Sequence, residues 1–177
     1  MHLVSERELT TVGGPPVVLP PADGFIHLQF RRFAGCPVCN LHLRTIVERH
    51  DDLAAAGIRE VVVFHSPVDE LRDYAADLPF ALVADPDKKL YREFGVESGR
   101  RALLDPRVWP AIVRAVLRSA VAVERGRERP PAGTQPGGRL GLPADFLIAP
   151  DGTVVAEKHG THAYDQWSVD EILASAR

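Results

Sequence analysis

The sequence predicts an α/β fold with a central sheet flanked by helices. Apolar runs of strand character lie at Phe25–Phe30, Ile58–Phe64 and 80–84, and a helical pattern follows each of them. Strands that alternate with helices in this way form a mostly parallel sheet covered on both faces. Two later apolar runs, at 146–149 and 153–156, are joined by a tight Asp-Gly turn, which predicts an antiparallel hairpin. The predicted sheet is therefore mixed.

Capping residues mark the predicted helices. Pro37 at a helix start and Gly57 beyond a helix end predict one helix over 37–56. Cap–proline pairs at 66–67 and 85–86 and a capping box at 168–171 begin the others. Between the first two helices, the β-branched run 61–64 has no polar side, so we expect its strand to be central.

Length and composition indicate one globular domain. The chain has 177 residues, of which 45% are hydrophobic and 25% charged, with a net charge of −3. We expect a single domain over 24–177, preceded by a Gly- and Pro-rich arm over 1–23 with a short edge strand at Val17–Leu19. The charge gives no reason to expect a nucleic acid or a membrane as partner. Without a signal-peptide core or a membrane-spanning run, the sequence predicts a cytoplasmic protein.

Residues 98–140 interrupt the α/β pattern as an insertion ahead of the final hairpin. An amphipathic helix begins near Trp109, and its apolar stripe runs to Val121 with arginines outside it. The following stretch, 124–138, has the composition of a mobile loop. The helix and loop are interpreted either as a lid, a dimer surface or a partner-binding face, or as an insertion that only covers the edge of the sheet.

The chemistry of the sequence lies in Cys36 and Cys39, the two cysteines of the chain. They form a Cys-x-x-Cys motif where the first strand gives way to the first helix, a pattern typical of redox motifs. Pro37 suits the first helical position, which makes Cys36 the N-cap. There the unpaired N–H groups and the helix dipole favour a thiolate. Arg31 and Arg32 precede the motif and are candidates for stabilising that thiolate.

The two cysteines are expected to have different roles. Helical spacing places Cys39 with Leu43 and Ile46 on the buried face of the helix, while Cys36 stands at its rim. This arrangement indicates an attacking Cys36 backed by a resolving Cys39. Two alternatives stay open: half of a zinc site completed by histidines, and a pair of inert buried cysteines. Neither a metal nor a cofactor is predicted.

Three segments carry a family resemblance. They are 30–39, which contains the cysteine motif, then 85–96, and 142–148 followed by an Asp-Gly turn. In this order they resemble the peroxiredoxin-like, AhpC/TSA-type branch of the thioredoxin superfamily. A parallel βαβ half followed by a ββα half, with Cys-x-x-Cys on the first helix, is the thioredoxin fold, and we predict it here.

The resemblance also implies a substrate-positioning segment and shows departures from the family. Pro143 would be a cis-proline that holds the backbone of Leu142 beside Cys36. Phe33 stands where peroxiredoxins have a threonine, and Pro143 lies roughly where they have an arginine; both of those groups bind peroxide. Thioredoxins keep a buried acid at the position of Phe30. Histidines such as His27 are interpreted as ordinary packed or surface residues.

These observations predict a thiol–disulfide oxidoreductase of peroxiredoxin-like type. The expected electron donor is an external thiol or a thioredoxin- or reductase-type protein, and the substrate a disulfide or a peroxide. One alternative is a thiol peroxidase that reduces hydrogen peroxide or organic hydroperoxides. Another is a non-catalytic redox sensor or interaction module, and a homodimer is an open possibility.

Overall fold

The computed structural model of the chain describes residues 3–75, 78–96, 98–99, 103, 105–126, 138 and 140–177. The strands are β1 (Arg7–Leu9), β2 (Val17–Leu19), β3 (Phe25–Phe30), β4 (Ile58–Phe64), β5 (Ala81–Ala84), β6 (Ala144–Ile148) and β7 (Val154–His159). The helices are α1 (Pro37–Glu48), α2 (His50–Ala55), α3 (Val68–Ala75), α4 (Lys89–Glu93), α5 (Trp109–Glu124) and α6 (Val169–Ser175), and a 3₁₀ turn, Pro106–Val108, precedes α5.

The main sheet is mixed, as predicted. Its five strands are ordered β5-β4-β3-β6-β7. Strand β4 runs parallel to both β3 and β5. Strand β6 is antiparallel to β3, and β7 is antiparallel to β6. The β-branched strand β4 is an interior strand, buried along nearly its whole length, as its uninterrupted apolar run predicts.

Strand β3 separates two differently composed faces of the sheet. Ile26, Leu28 and Phe30 enter an apolar core that also contains Tyr91 and Phe146. The alternate residues 27, 29 and 31 therefore face the other side. Helix α1 packs on that side, where its inward residues lie among side chains of β4 and β6. The end of β3 and the start of α1 together form the cysteine-containing edge of the sheet.

Two segments differ from the sequence-based expectation, and a third lies mostly outside the described residues. The helix predicted over 37–56 is broken at Arg49, whose φ of −122° and ψ of 24° are not helical, so that α1 and α2 are separate. Strand β2 pairs with β1 in a small sheet of its own and is not an edge of the main sheet. Most of the predicted loop over 124–138, namely 127–137, lies outside the described residues. Within the described ranges, no helix is both long and apolar enough to cross a membrane.

Gly24 is required where β3 begins. Its φ is +60°, and a Cβ at this position would lie 2.2 Å from the carbonyl oxygen of Gly57. That same oxygen accepts the N–H of Phe25 at 2.8 Å, which ties β3 to the turn after α2. A side chain at Gly24 would therefore strain the left-handed backbone and also push the two segments apart.

We expect Gly24→Ala to lower the free energy of unfolding by about 2 kcal/mol or more, from strain and overpacking together. Gly13→Ala is the matched control, because Gly13 also has a positive φ of 80° but nothing lies within 4 Å of its Cβ position. It should cost only about 1 kcal/mol, since only backbone strain applies. Urea unfolding of both variants measures the difference, and equal losses would contradict the steric argument.

Candidate active site

The two cysteines lie in the first turn of α1, where β3 ends. Cys36 is the N-cap residue, with extended backbone angles, and Pro37 occupies the first turn. The backbone N–H of Cys39 donates to Cys36 Sγ at 3.3 Å. Sequence reasoning correctly predicted the N-cap position of Cys36. The sulfur of Cys36 therefore accepts one of the N–H groups that a helix start leaves unpaired.

The two sulfurs are close enough to react with each other. Both cysteines are free thiols, and Cys36 Sγ lies 2.8 Å from Cys39 Sγ. A disulfide bond is about 2.05 Å long, so closing the bond requires only a small movement of the two side chains. Zinc would need further ligands, and in the described part of the chain no three His, Cys, Asp or Glu side chains are grouped as a metal site.

Both cysteines are buried, so the expectation that Cys36 stands at an exposed rim is wrong. The exposed fraction is 0% for Cys36 and 1% for Cys39. The side of α1 away from the sheet is covered by a second apolar cluster, to which Val108 and Ala115 contribute. Ala163, from the segment after β7, completes the cover. The helix of the 98–140 insertion therefore packs on α1 beside the cysteines. An insertion that only covers the edge of the sheet would not make this contact.

The apolar stripe predicted on α5 faces mostly outward. Ile112 and Ala115 are the side chains that pack toward α1. The larger members of the stripe are instead exposed, namely Trp109, Val113, Val116, Leu117 and Val121. The helix thus has apolar residues on both sides, and periodicity alone does not distinguish the covered side from the open one.

The two arginines before the motif have different positions. Arg32 Nη2 donates to Cys36 Sγ at 3.0 Å, and the Arg32 side chain also hydrogen-bonds the thiol of Cys39. Arg31 is fully buried and donates from Nη2 to Asp145 Oδ1 at 2.7 Å. Arg32 is thus the arginine in direct contact with the dithiol, while Arg31 belongs to a cluster beneath it.

The thiols of Cys36 and Cys39 ionise as a pair. Burial opposes the thiolate of Cys39, but the hydrogen bond from Cys36 and the charge of Arg32 outweigh it and lower the pKa of Cys39 to about 6. Burial, together with the hydrogen bond to Cys39 and its charge, raises the pKa of Cys36 well above its usual range. Near neutral pH the two sulfurs consequently share one proton. The helix N-terminus therefore favours one thiolate in the pair. The expectation that Cys36 is the more acidic member is wrong.

Pro143 is not the cis-proline that the resemblance implied. Among the described residues the cis peptide bond is Leu19–Pro20, so the bond between Leu142 and Pro143 is trans. Pro143 directly precedes β6, and its carbonyl oxygen accepts the N–H of Gly160 at 2.8 Å. A proline that enters a strand needs only an extended backbone, which the intrinsically preferred trans bond provides. Both residues lie at the cysteine end of the sheet, and Leu142 is buried.

A buried ionic cluster that was not predicted from the sequence lies on the α1 side of the sheet. His27 donates from Nδ1 to Glu60 Oε2 at 2.8 Å and from Nε2 to Asp145 Oδ1 at 3.1 Å. Gln29 Nε2 donates to Glu60, and Arg31 donates to both Gln29 and Asp145. The exposed fraction of these side chains is 3% or less. The signal was present in β3 and the residue that follows it, where polar residues at 27, 29 and 31 alternate with apolar ones.

Two further histidines near the cysteines are neutral. Burial and the charge of Arg31 lower the pKa of His42 to about 3. Burial and the charge of Lys88 lower the pKa of His65 to about 4. Neither ring nitrogen of His65 has a hydrogen-bond partner within the described part of the chain. The cations beside the dithiol are therefore the arginines, not these histidines.

Comparison with known proteins identifies a family for the chain. A model of the AhpC/TSA antioxidant enzyme family matches residues 45–162, more than half of the chain, and the match begins beyond both cysteines. No curated protein matches the sequence.

Solved structures share the fold at low identity. Peroxidoxin BcpB from Mycobacterium tuberculosis is 20% identical, with a TM-score of 0.69 over 99% of this chain and 94% of that chain. Peroxiredoxin Q from Xanthomonas campestris is 19% identical, with a TM-score of 0.61 over 96% and 88%. A putative thiol:disulfide interchange protein, DsbE, from Chlorobium tepidum is 16% identical, with a TM-score of 0.58 over 99% and 96%.

The fold is accordingly thioredoxin-like, as predicted from the order of its elements. The resemblance noted in the sequence is confirmed by the family model over the greater part of the domain. The dithiol described above lies at the N-terminus of the first helix of this fold. The chain is an oxidoreductase and belongs to the AhpC/TSA antioxidant enzyme family.

Proposed function

We propose that this chain is a thiol–disulfide oxidoreductase in which Cys36 is the nucleophile and Cys39 the resolving thiol. The observation that carries the proposal is the 2.8 Å separation of the two sulfurs within one helical turn. The contact of Arg32 with Cys36 Sγ at 3.0 Å supports it, because a cation beside a sulfur stabilises the thiolate that attacks. The proton shared by the pair resides on Cys39 during the attack, which leaves the negative charge on Cys36.

The reaction transfers two electrons from the dithiol to the substrate. The Cys36 thiolate attacks one sulfur of a substrate disulfide, forms a mixed disulfide and expels the other substrate sulfur as a thiolate. The Cys39 thiolate then attacks Cys36 Sγ, releases the second substrate thiolate and leaves a Cys36–Cys39 disulfide. The released thiolates take up protons from solvent and from Cys39. An external thiol, or a thioredoxin- or reductase-type protein, returns two electrons to the Cys36–Cys39 disulfide. Donors of this kind keep thiols reduced in the cytoplasm.

Burial of both sulfurs favours one alternative function, a thiol peroxidase. A hydroperoxide is small enough to reach Cys36 with less displacement of the side chains around Val108 and Ala115 than a bulky disulfide requires. In that reaction Cys36 attacks the terminal oxygen, becomes a sulfenic acid and releases water or an alcohol. Cys39 then displaces water to form the same internal disulfide.

The side chain of Phe33 supports our proposal that disulfides react faster than peroxides. It is buried in the cluster around the cysteines. By the resemblance noted in the sequence, it stands at the position where peroxiredoxins have a threonine. It carries no donor for a peroxide oxygen. Donors aligned on a reacting oxygen commonly contribute about 3–4 kcal/mol, so their loss should slow peroxide reduction about a hundredfold or more.

We therefore expect the reduced protein to react faster with a small linear disulfide than with hydrogen peroxide. Stopped-flow tryptophan fluorescence of the reduced protein with each oxidant measures both rate constants. Phe33→Thr should raise the rate of peroxide reduction about tenfold by supplying a hydroxyl donor. Phe33→Val is the control, because valine has the size of threonine without the hydroxyl, and it should not raise this rate. Fast, saturable oxidation of the unmodified protein by hydrogen peroxide would instead favour the peroxidase.

A further inference from the structure

The segment that joins β3 to the helix start is held on both sides. The carbonyl oxygen of Arg31 accepts the hydroxyl hydrogen of Tyr91. The following residue, Arg32, donates from Nη2 to Cys36 Sγ at 3.0 Å. This two-residue segment is therefore held between a buried tyrosine and the dithiol. A displacement of Arg31 would shift the neighbouring Arg32 that contacts the dithiol.

The side chain of Arg31 fastens this segment to the buried cluster. Its Nη2 donates to Asp145 Oδ1 at 2.7 Å, and its Nη1 donates to the carbonyl oxygens of Phe30 at 3.1 Å and Ala144 at 3.4 Å. Asp145 is itself held by His27 at 3.1 Å and by the backbone N–H of Trp167 at 3.2 Å. The guanidinium thus has fixed partners on β3 and on β6.

Charged and titratable groups face this cluster from every packed element. They are His27, Arg31 and Arg32 from β3 and its end, Glu60 from β4, Asp145 from β6, Lys158 from β7, and Cys36, Cys39 and His42 from α1. Asp145 is the carboxylate of this set that bonds Arg31. Although burial opposes its charge, the charges of Arg31 and His27 hold the pKa of Asp145 far below its usual range. Asp145 consequently has no capacity to accept a proton near neutral pH.

We propose that Arg31 is a positioning residue for the dithiol, and that the buried His27–Glu60–Asp145 cluster is a fixed anchor for it rather than a proton acceptor. This inference rests on the proposed dithiol chemistry. Arg31 acts through the segment that it anchors, by holding Arg32 where its guanidinium contacts Cys36 Sγ at 3.0 Å. The positive charge of Arg31 also favours the thiolate of the pair. The proton of the pair then leaves from the sulfurs to the departing substrate thiolate.

Carboxyl ¹³C NMR of the reduced wild-type protein tests the second half of the proposal without any substitution. The Asp145 resonance should show no titration between pH 5 and pH 9 in the reduced or the oxidised protein. In the same samples, the Cys36 and Cys39 Cβ resonances of the reduced protein should report the loss of one shared proton. A titration of Asp145 within this range, coupled to the cysteines, would overturn the proposal. Because no turnover is measured, the result is independent of which oxidant is the substrate.

Arg31→Met tests the first half, with thiolate absorbance near 240 nm as the readout. An opposite charge close to a thiol commonly lowers its pKa by about 1–3 units, so thiolate at a fixed pH below the transition should fall about tenfold or more. Arg31→Lys should restore part of it. Arg49→Met is the matched control, because Arg49 is exposed at the far end of α1 and should leave the titration unchanged. An unshifted titration in a folded Arg31→Met variant would refute the positioning role. If Arg31→Met does not fold, Arg31→Lys decides, because a lysine keeps the charge but cannot reproduce all the contacts to Phe30, Ala144 and Asp145. A thiolate titration identical to that of the wild type would then refute the positioning role.

Discussion

Cys36→Ser should abolish the reduction of every disulfide or peroxide by this protein. A serine hydroxyl at the helix start is not ionised near neutral pH, so the attacking thiolate is lost and no mixed disulfide forms. The variant should also contain no sulfenic acid after exposure to peroxide. Turnover with dithiothreitol as reductant, followed by mass spectrometry of the protein, measures both effects. Residual turnover above a few per cent would show that Cys39 attacks by itself.

Cys39→Ser should fail in a different way. Cys36 remains able to attack, but the thiol 2.8 Å away that would resolve the intermediate is gone. A disulfide substrate should therefore leave a stable mixed disulfide on Cys36, and excess peroxide should oxidise Cys36 to sulfinic acid. Removal of Cys39 also removes the low-pKa member of the pair, so the remaining thiol should titrate as a single group. Trapping on Cys39 in the Cys36→Ser variant would reverse the assigned roles.

The fold and the dithiol could be predicted because their signals are local. Strand–helix alternation, the Asp-Gly turn and the capping box each depend on a few neighbouring residues, and the five-stranded sheet follows from their order. The N-cap position of Cys36 follows in the same way from Pro37. Tertiary packing did not override these local features, so they are found in the folded structure as predicted.

The buried cluster could not be predicted in this way. Its members are brought together across the sheet: His27 and Glu60 are 33 residues apart in sequence, and His27 and Asp145 are 118 apart. A polar residue in a strand usually marks a solvent-facing side, and only the cover of α1 makes these side chains buried. The burial of Cys36 was missed for a related reason, since the covering residues belong to the distant insertion and to the segment after β7.

The buried cluster also has a consequence for stability at alkaline pH. Burial opposes the charge of His27, but Glu60 and Asp145 outweigh it and raise the pKa of His27 from 6.5 to about 9. The folded protein therefore holds this proton more tightly than the unfolded chain does. The resulting stabilisation is complete below about pH 6.5 and is lost as the pH rises through about 9. A shift of this size corresponds to about 3 kcal/mol.

We expect the free energy of unfolding to fall by about 3 kcal/mol between pH 6.5 and pH 9.5, from the loss of the His27 proton. Urea unfolding should be measured in a Cys36→Ser/Cys39→Ser background, because the thiols titrate in the same range with the opposite sign. His27→Gln should remove this dependence and lower stability at pH 6.5, since Glu60 and Asp145 lose a charged partner. His159→Gln, at an exposed position on β7, is the control and should keep the slope. A flat profile in the background protein would mean that His27 is not charged in the folded state.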